Sequence, residues 1–431
     1  MSTLRIVNGR VLRPDLSVER ADLLIDRSSG RIRRIGTSLP VGDDELDATD
    51  CLVCPGLTNA HTHVSMSLLR GIADDKPLSA WLREDIWPVE AEFSEGDVRV
   101  GAQLGLLEMI KAGTTSMADM YFHVPGIVDA VEEAGVRAML GHAAITVGKE
   151  EADARADLDT SLEIASRYDG AADGRIRTAF QPHSLTTVER EYFEENVPRA
   201  REAEVPIHFH ANETRDEVEP IVGAHGKRPL EYADDLGLLG PDTFIAHGVH
   251  VNDTELSILA DTDTQVIHCP ASNMKLASGI APVQKMLDAG IQVGIGTDGA
   301  ASNNDLDLFD EMRDAAMSGK IGADDAAAVP AAAVVRMAME TGASILGLSD
   351  GRIEEGAMAD LAIIDFSSPH LTPVHDHVSH LAYAVTGADV RHTVCDGQVL
   401  MRDRTVQTLD EAAIKQEARD RAAAVVERSR D

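Results

Sequence analysis

Lysine is scarce in this 431-residue chain: eight lysines stand beside thirty-one arginines, and the 39 bases face 73 acids. The formal net charge of -34 argues against nucleic acid and anionic membranes as partners, because both would be repelled. The acids are scattered through patterned segments rather than gathered in a tail, which suggests adaptation to concentrated salt that screens self-repulsion. Aromatics make up only 3% of the residues. Cysteines number four (Cys51, Cys54, Cys269, Cys395), too few for a disulfide scaffold in a chain this long. "CLVC" at 51–54 has metal-like spacing but no second pair follows it, so all four read as small buried hydrophobes. No H-x-E occurs, which excludes the zinc signature of cytidine-type deaminases. No apolar run reaches the roughly 18 residues that a membrane span needs. The opening "MSTLRIVNGRVLRPD" lacks a signal-peptide core, so a cytoplasmic protein is expected.

What is present is alternation. Apolar β-like runs alternate with longer helical patterns: "VCPGLTNAHTH", "TTSMADMYFH", "RAMLGHAAI", "RIRTAFQPH", "VPIHFHAN", "TFIAHGV", "TQVIHCP" and "QVGIGTD". Eight such units predict an α/β fold closed as a (β/α)8 TIM barrel over residues 56–349. The two ends read differently, as short strands and turns. Residues 1–55 and 350–431 are expected to pair into one small composite β-sandwich beside the barrel, followed by a helix from about Leu409.

The runs finish on chemistry-bearing side chains. His61 and His63 close the first, His123 the second, His183 the fourth, His247 the sixth, His268 the seventh and Asp298 the eighth; His142 lies in the third and His208 and His210 in the fifth. In a barrel, the C-terminal ends of the strands build the active site. Alternate residues of a strand share a face, so His61 and His63 can bind one ion together. His210 lies nearer its strand end than His208 and makes the third ligand; Asp298 is the natural carboxylate. Such an N/O set predicts one divalent metal ion, zinc first, with iron or manganese as alternatives. No lysine closes the fourth run to bridge a second ion, so a mononuclear site is expected. "GIGTDG" satisfies G-x-G-x-x-G, but Asp298 stands where pyrophosphate would sit. "VHDHVSH" (His375, His377, His380) reads as capping and packing outside the barrel, and His225 and His250 receive no role.

"PGLTNAHTH", "HFHANE", "AHGVH" and "GTDGAASNND" resemble the amidohydrolase superfamily. "HTHVSMSLLRGIADDKPLSAWLREDIWPVE" and "HCPASNMKLASGIAPV" resemble, more narrowly, its methylthioadenosine/S-adenosylhomocysteine deaminases. The resemblance implies metal ligands at His61, His63, His210 and Asp298. It also implies a proton donor at Glu213, a hydroxide-stabilising His247, and Asp298 as proton carrier to the leaving ammonia. It gives Glu90 the ribose hydroxyls and His183 a nucleoside contact, with Ser302 a weaker candidate. Of the two tryptophans, Trp81 is expected to pack on the adenosine and Trp87 in the core. His142 stands where relatives accepting S-adenosylhomocysteine carry an arginine, with Arg155 an uncertain substitute. The implied function is hydrolytic deamination of a small adenosine-type nucleoside by a homo-oligomer, dimer or tetramer. The same fold acting on guanine, a pyrimidine or a triazine is the alternative, and a non-catalytic scaffold relative is remote.

Overall fold

The computed structural model describes residues 2–430. Eight parallel strand segments form the barrel: Leu57–Thr62, Thr114–Tyr121, Arg137–Ala144, Ile176–Thr178 extended by Gln181–Pro182, Ile207–Ala211, Thr243–His247, Gln265–His268 and Val293–Ile295. The first four pair as one sheet and the last four as another. Single bridges close the ring, Phe180 to Ile207 and Ser184 to His210 on one side and Thr62 to Asp298 on the other. The last of these needs Gly296. A Cβ there would lie 2.6 Å from the backbone oxygen of His61, so only glycine lets the eighth strand approach the first.

Every residue of the first, second and fifth strands is buried. Burial on both faces is what parallel strands covered by helices require, and here Thr, Asn, His and Asp side chains are buried among the apolar ones. The helix Glu95–Lys111 shows how the sequence stops and starts these covers. Ser94 accepts from the Asp97 amide while Asp97 reaches back to the Ser94 amide, a reciprocal cap.

A four-stranded sheet packs beside a seven-stranded one to make the sandwich. The larger sheet interleaves both ends of the chain: Leu361–Asp365 pairs antiparallel with Cys51–Pro55, and Val390–Cys395 pairs with Leu361–Asp365. Its core joins Leu4, Ile6, Leu23, Ile25 and Ile32 to Val53, Leu361, Ile363 and Val394. Arg137 at the start of the third barrel strand is buried against Asp360 at 2.8 Å and Asp396 at 2.9 Å, tying barrel to sandwich. The final helix, Glu411–Arg428, lies on the barrel helix through Arg421 and Arg428, both paired with Asp97. No described helix is long and apolar enough to cross a membrane. All four cysteines are buried and free.

Candidate metal centre

The strand ends bring one cluster together. Nitrogen and oxygen atoms of His61, His63 and Asp298 lie within 4.8 Å of one another, as do those of His61, His210 and His247. Asp298 Oδ1 is 3.2 Å from His63 Nε2 and 3.6 Å from His61 Nε2. Two of these residues, His247 (φ 74°) and Asp298 (φ 58°), adopt the left-handed backbone that non-glycine residues avoid, turning their side chains at the strand ends.

Hydrogen bonds fix which nitrogen each ring presents. His63 Nδ1 donates to the Met120 carbonyl at 2.5 Å and His210 Nδ1 to the His183 carbonyl at 2.8 Å. His208 Nδ1 donates to the Phe244 carbonyl at 2.9 Å, so its Nε2 is the acceptor for His61 Nδ1 at 2.8 Å. His61 Nε2 is buried with no hydrogen-bond partner among the described residues. In His61, His63 and His210 the Nδ1 is thus engaged by the protein and Nε2 is left for the cluster. The two groups of the cluster share His61; imidazole nitrogens and a carboxylate oxygen suit a divalent cation, and the orphaned His61 nitrogen is the atom such an ion would satisfy.

The electrostatics agree. Burial pushes His61 down to about 4 and His210 well below its ordinary value, keeping both neutral as ligands must be. Burial would also lower His63, but Asp298 beside it overrides this and pushes it up to about 9. Burial would raise Asp298, yet the His61 and His63 rings hold it well below the usual carboxylate range. A field that holds a proton on His63 also favours a cation between the two groups.

Around the cluster stand the other acids and bases. Glu213, three residues past His210, is buried, and its Oε2 is 3.8 Å from His247 Nε2. Burial raises its pKa, the charge of Asp298 adding to the rise and His247 opposing it. His247 is steered by Asn273, whose Oδ1 lies 2.9 Å from Nδ1. His183 sits with its ring 4.7 Å from that of His210, and burial lowers it to about 3. Glu90 is buried, accepts from Tyr121 Oη at 2.5 Å and feels the charge of His63; burial raises it to about 7 against the pull of that hydrogen bond.

Four expectations change. Trp81 is not free to stack on a ligand: it is 3% exposed, part of the main core, and its Nε1 donates to the Ala73 carbonyl at 3.2 Å. Trp87 is the exposed one, at 38%. The burial of the two is the reverse of that expected, in a segment that coils as a helix with a π-turn at Leu82–Ile86, which no apolar count reveals. Ser302 does not stand free for a substrate: its hydroxyl donates to Asp298 Oδ2 at 2.9 Å, next to Ser272 at 2.6 Å. His142 is engaged by Asp157 at 2.9 Å, and Arg155 turns away to Glu151 and Glu195. His123 likewise leaves the cluster and binds the Phe93 carbonyl at 3.1 Å. Sequence reasoning passed over His208, Ser272, Asn273 and Tyr121. Only His208 carried a signal, its shared face with His210.

A closed parallel barrel with a His/Asp cluster able to hold a divalent cation at its strand ends is the architecture of a metal-dependent hydrolase. Residues 52–400 match the sequence model of the Amidohydrolase family, and the chain belongs to that family. It is 65% identical over 432 residues, covering 100% of both chains, to a 5-methylthioadenosine/S-adenosylhomocysteine deaminase of Haloarcula marismortui. A 5'-deoxyadenosine deaminase of Methanothermobacter thermautotrophicus is 44% identical over 408 residues, 94% of this chain and 95% of that one. A crystal structure of an adenosine deaminase from Xanthomonas campestris with bound zinc superposes at a TM-score of 0.93, with 34% identity over 98% of each chain.

Proposed function

We propose that this protein is a metal-dependent hydrolytic deaminase of adenosine-type nucleosides, with His61, His63, His210 and Asp298 holding one zinc ion. The observation that carries the reading is Glu213: a buried carboxyl of raised pKa set beside His247 at the rim of the cation site. Deamination at an aromatic ring carbon needs a proton for a ring nitrogen, and burial, by raising the Glu213 carboxyl, favours the acid form that can donate one. The bound cation would supply Lewis acidity, acidifying a water that attacks that carbon. Asp298 accepts the proton which the water loses and returns one to the departing amine, so that water and nucleoside become ammonia and the inosine analogue. Ser272, Ser302 and the Gly299 amide hold both carboxylate oxygens of Asp298 in place for this transfer. His247, aimed by Asn273, stabilises the attacking oxygen. Glu90 takes the sugar hydroxyls and His183 contacts the nucleoside.

Among substrates we infer a preference for 5'-deoxyadenosine, methylthioadenosine or adenosine over S-adenosylhomocysteine. The end of the third strand offers His142 already paired with Asp157, an acid that would repel the amino-acid carboxylate. Ammonia release across the four nucleosides, compared as kcat/KM at high salt, tests both statements. Absence of turnover on any of them defeats the function; a tenfold lead for S-adenosylhomocysteine defeats the preference. The acidic composition supports salt adaptation; beside it we propose a cytoplasmic homo-oligomer, whose subunit number sedimentation at high salt would give.

A further inference from the structure

Two ties anchor the segment Leu78–Glu90 and the turn after it to the end of the second barrel strand. His123 binds the Phe93 carbonyl, and Tyr121 binds Glu90 Oε1 at 2.5 Å. Both partners of the second tie are buried, Tyr121 at 2% and Glu90 at 9% exposure. The Tyr121 ring stacks on Phe122 at 4.1 Å and lies 6.3 Å from the ring of His63, so the phenol is held rigidly at the edge of the metal centre. Only Oε1 of Glu90 has a protein hydrogen bond among the described residues.

We propose that Tyr121 is a positioning residue for sugar recognition: by occupying Oε1 it fixes the carboxylate plane of Glu90 and presents Oε2 to the vicinal hydroxyls of the nucleoside. A carboxylate has about four acceptor sites, so one phenol donor leaves room for a diol. Without that donor the carboxylate is free to rotate, and a buried charge loses its one fixed partner. The phenol also opposes the burial that raises Glu90, favouring the ionised form that accepts from hydroxyls. The inference rests on Glu90 contacting the sugar in the proposed reaction. The proposed reaction gives Tyr121 no contact with base or cation, so its action runs through Glu90.

The test is Tyr121→Phe in the zinc-loaded full chain, assayed on adenosine and on 2',3'-dideoxyadenosine, which lacks both hydroxyls. Loss of a charge-assisted hydrogen bond should lower the kcat/KM ratio of adenosine to dideoxyadenosine by about tenfold, mostly through KM for adenosine. Glu90→Gln should lower the same ratio, and adding Tyr121→Phe to it should cost little more. Equal losses on both nucleosides, or a full second loss in the double variant, would mean that Tyr121 merely braces the fold and would overturn the proposal. An unchanged ratio overturns it as well. Wild-type turnover across the four nucleosides is read first: its absence on all of them defeats the deaminase reading, whereas turnover with an unmoved ratio defeats only the role of Tyr121.

Discussion

In the proposed reaction Glu213 is the single side chain that decides the chemistry. The Glu213→Gln variant keeps shape and burial but has no acidic proton to give, so turnover should fall on the order of 100-fold or more while metal content stays full. A near-wild-type rate would remove Glu213 from the mechanism. The direction of its pKa shift sets a pH signature. The acid form must be present, its pKa is raised, and the wild-type rate should therefore fall on the alkaline side as the carboxyl ionises. The glutamine variant should lack that limb. His208 makes a second case. It accepts the proton of His61 Nδ1 and is itself pinned to Phe244, so His208→Leu frees the His61 ring to change tautomer. Zinc affinity, measured by chelator competition, should drop about 10- to 100-fold, and His208→Gln should recover part of it. Equal affinity in all three proteins would show that His61 needs no such support.

At the scale of elements, the segment from Leu78 to Glu90 separates two tryptophans that composition treats alike. Trp81 is packed in the core, so Trp81→Ala should destabilise by about 3–5 kcal/mol, whereas Trp87→Ala on the surface should stay within about 0.5 kcal/mol. Chemical denaturation of the two variants checks this; a larger loss at Trp87 would mean that the segment packs the other way. The strands were legible because short β-like runs alternate with helical patterns, with histidines or Asp298 in or just past the runs. Their ends were not equally legible. His61, His63, His210, His247 and Asp298 converge, while His123 and His142, at matching positions in neighbouring runs, turn to Phe93 and Asp157. Backbone twist and the left-handed turns at His247 and Asp298 aim the side chains, and these angles are set by packing rather than by residue type.

For the whole molecule, charge governs behaviour outside the core. At -34 the folded chain repels itself, and the Debye length shrinks from about 10 Å at 0.1 M salt to about 3 Å at 1 M. The unfolding midpoint should therefore rise steeply with KCl. The buried Arg137–Asp360 pair, shielded from solvent, should respond far less than exposed pairs such as Arg155–Glu151. Full stability at low salt would sink the reading of the composition as salt adaptation.

The sequence by itself determined the barrel, because strand-helix alternation with buried parallel strands admits few other closures. It also singled out His61, His63, His210 and Asp298 as candidate ligands, because strand ends are where a barrel gathers its chemistry. Glu213 came with them only through the resemblance to the amidohydrolase superfamily. Only the tertiary structure decided which side chains stand behind these. Tyr121 meets Glu90 across 31 residues, Ser272 meets Asp298 across 26, and His61 meets His208 across 147. A hydrogen bond between residues so far apart has no periodicity to betray it; it exists only once packing has brought two strand ends within about 3 Å.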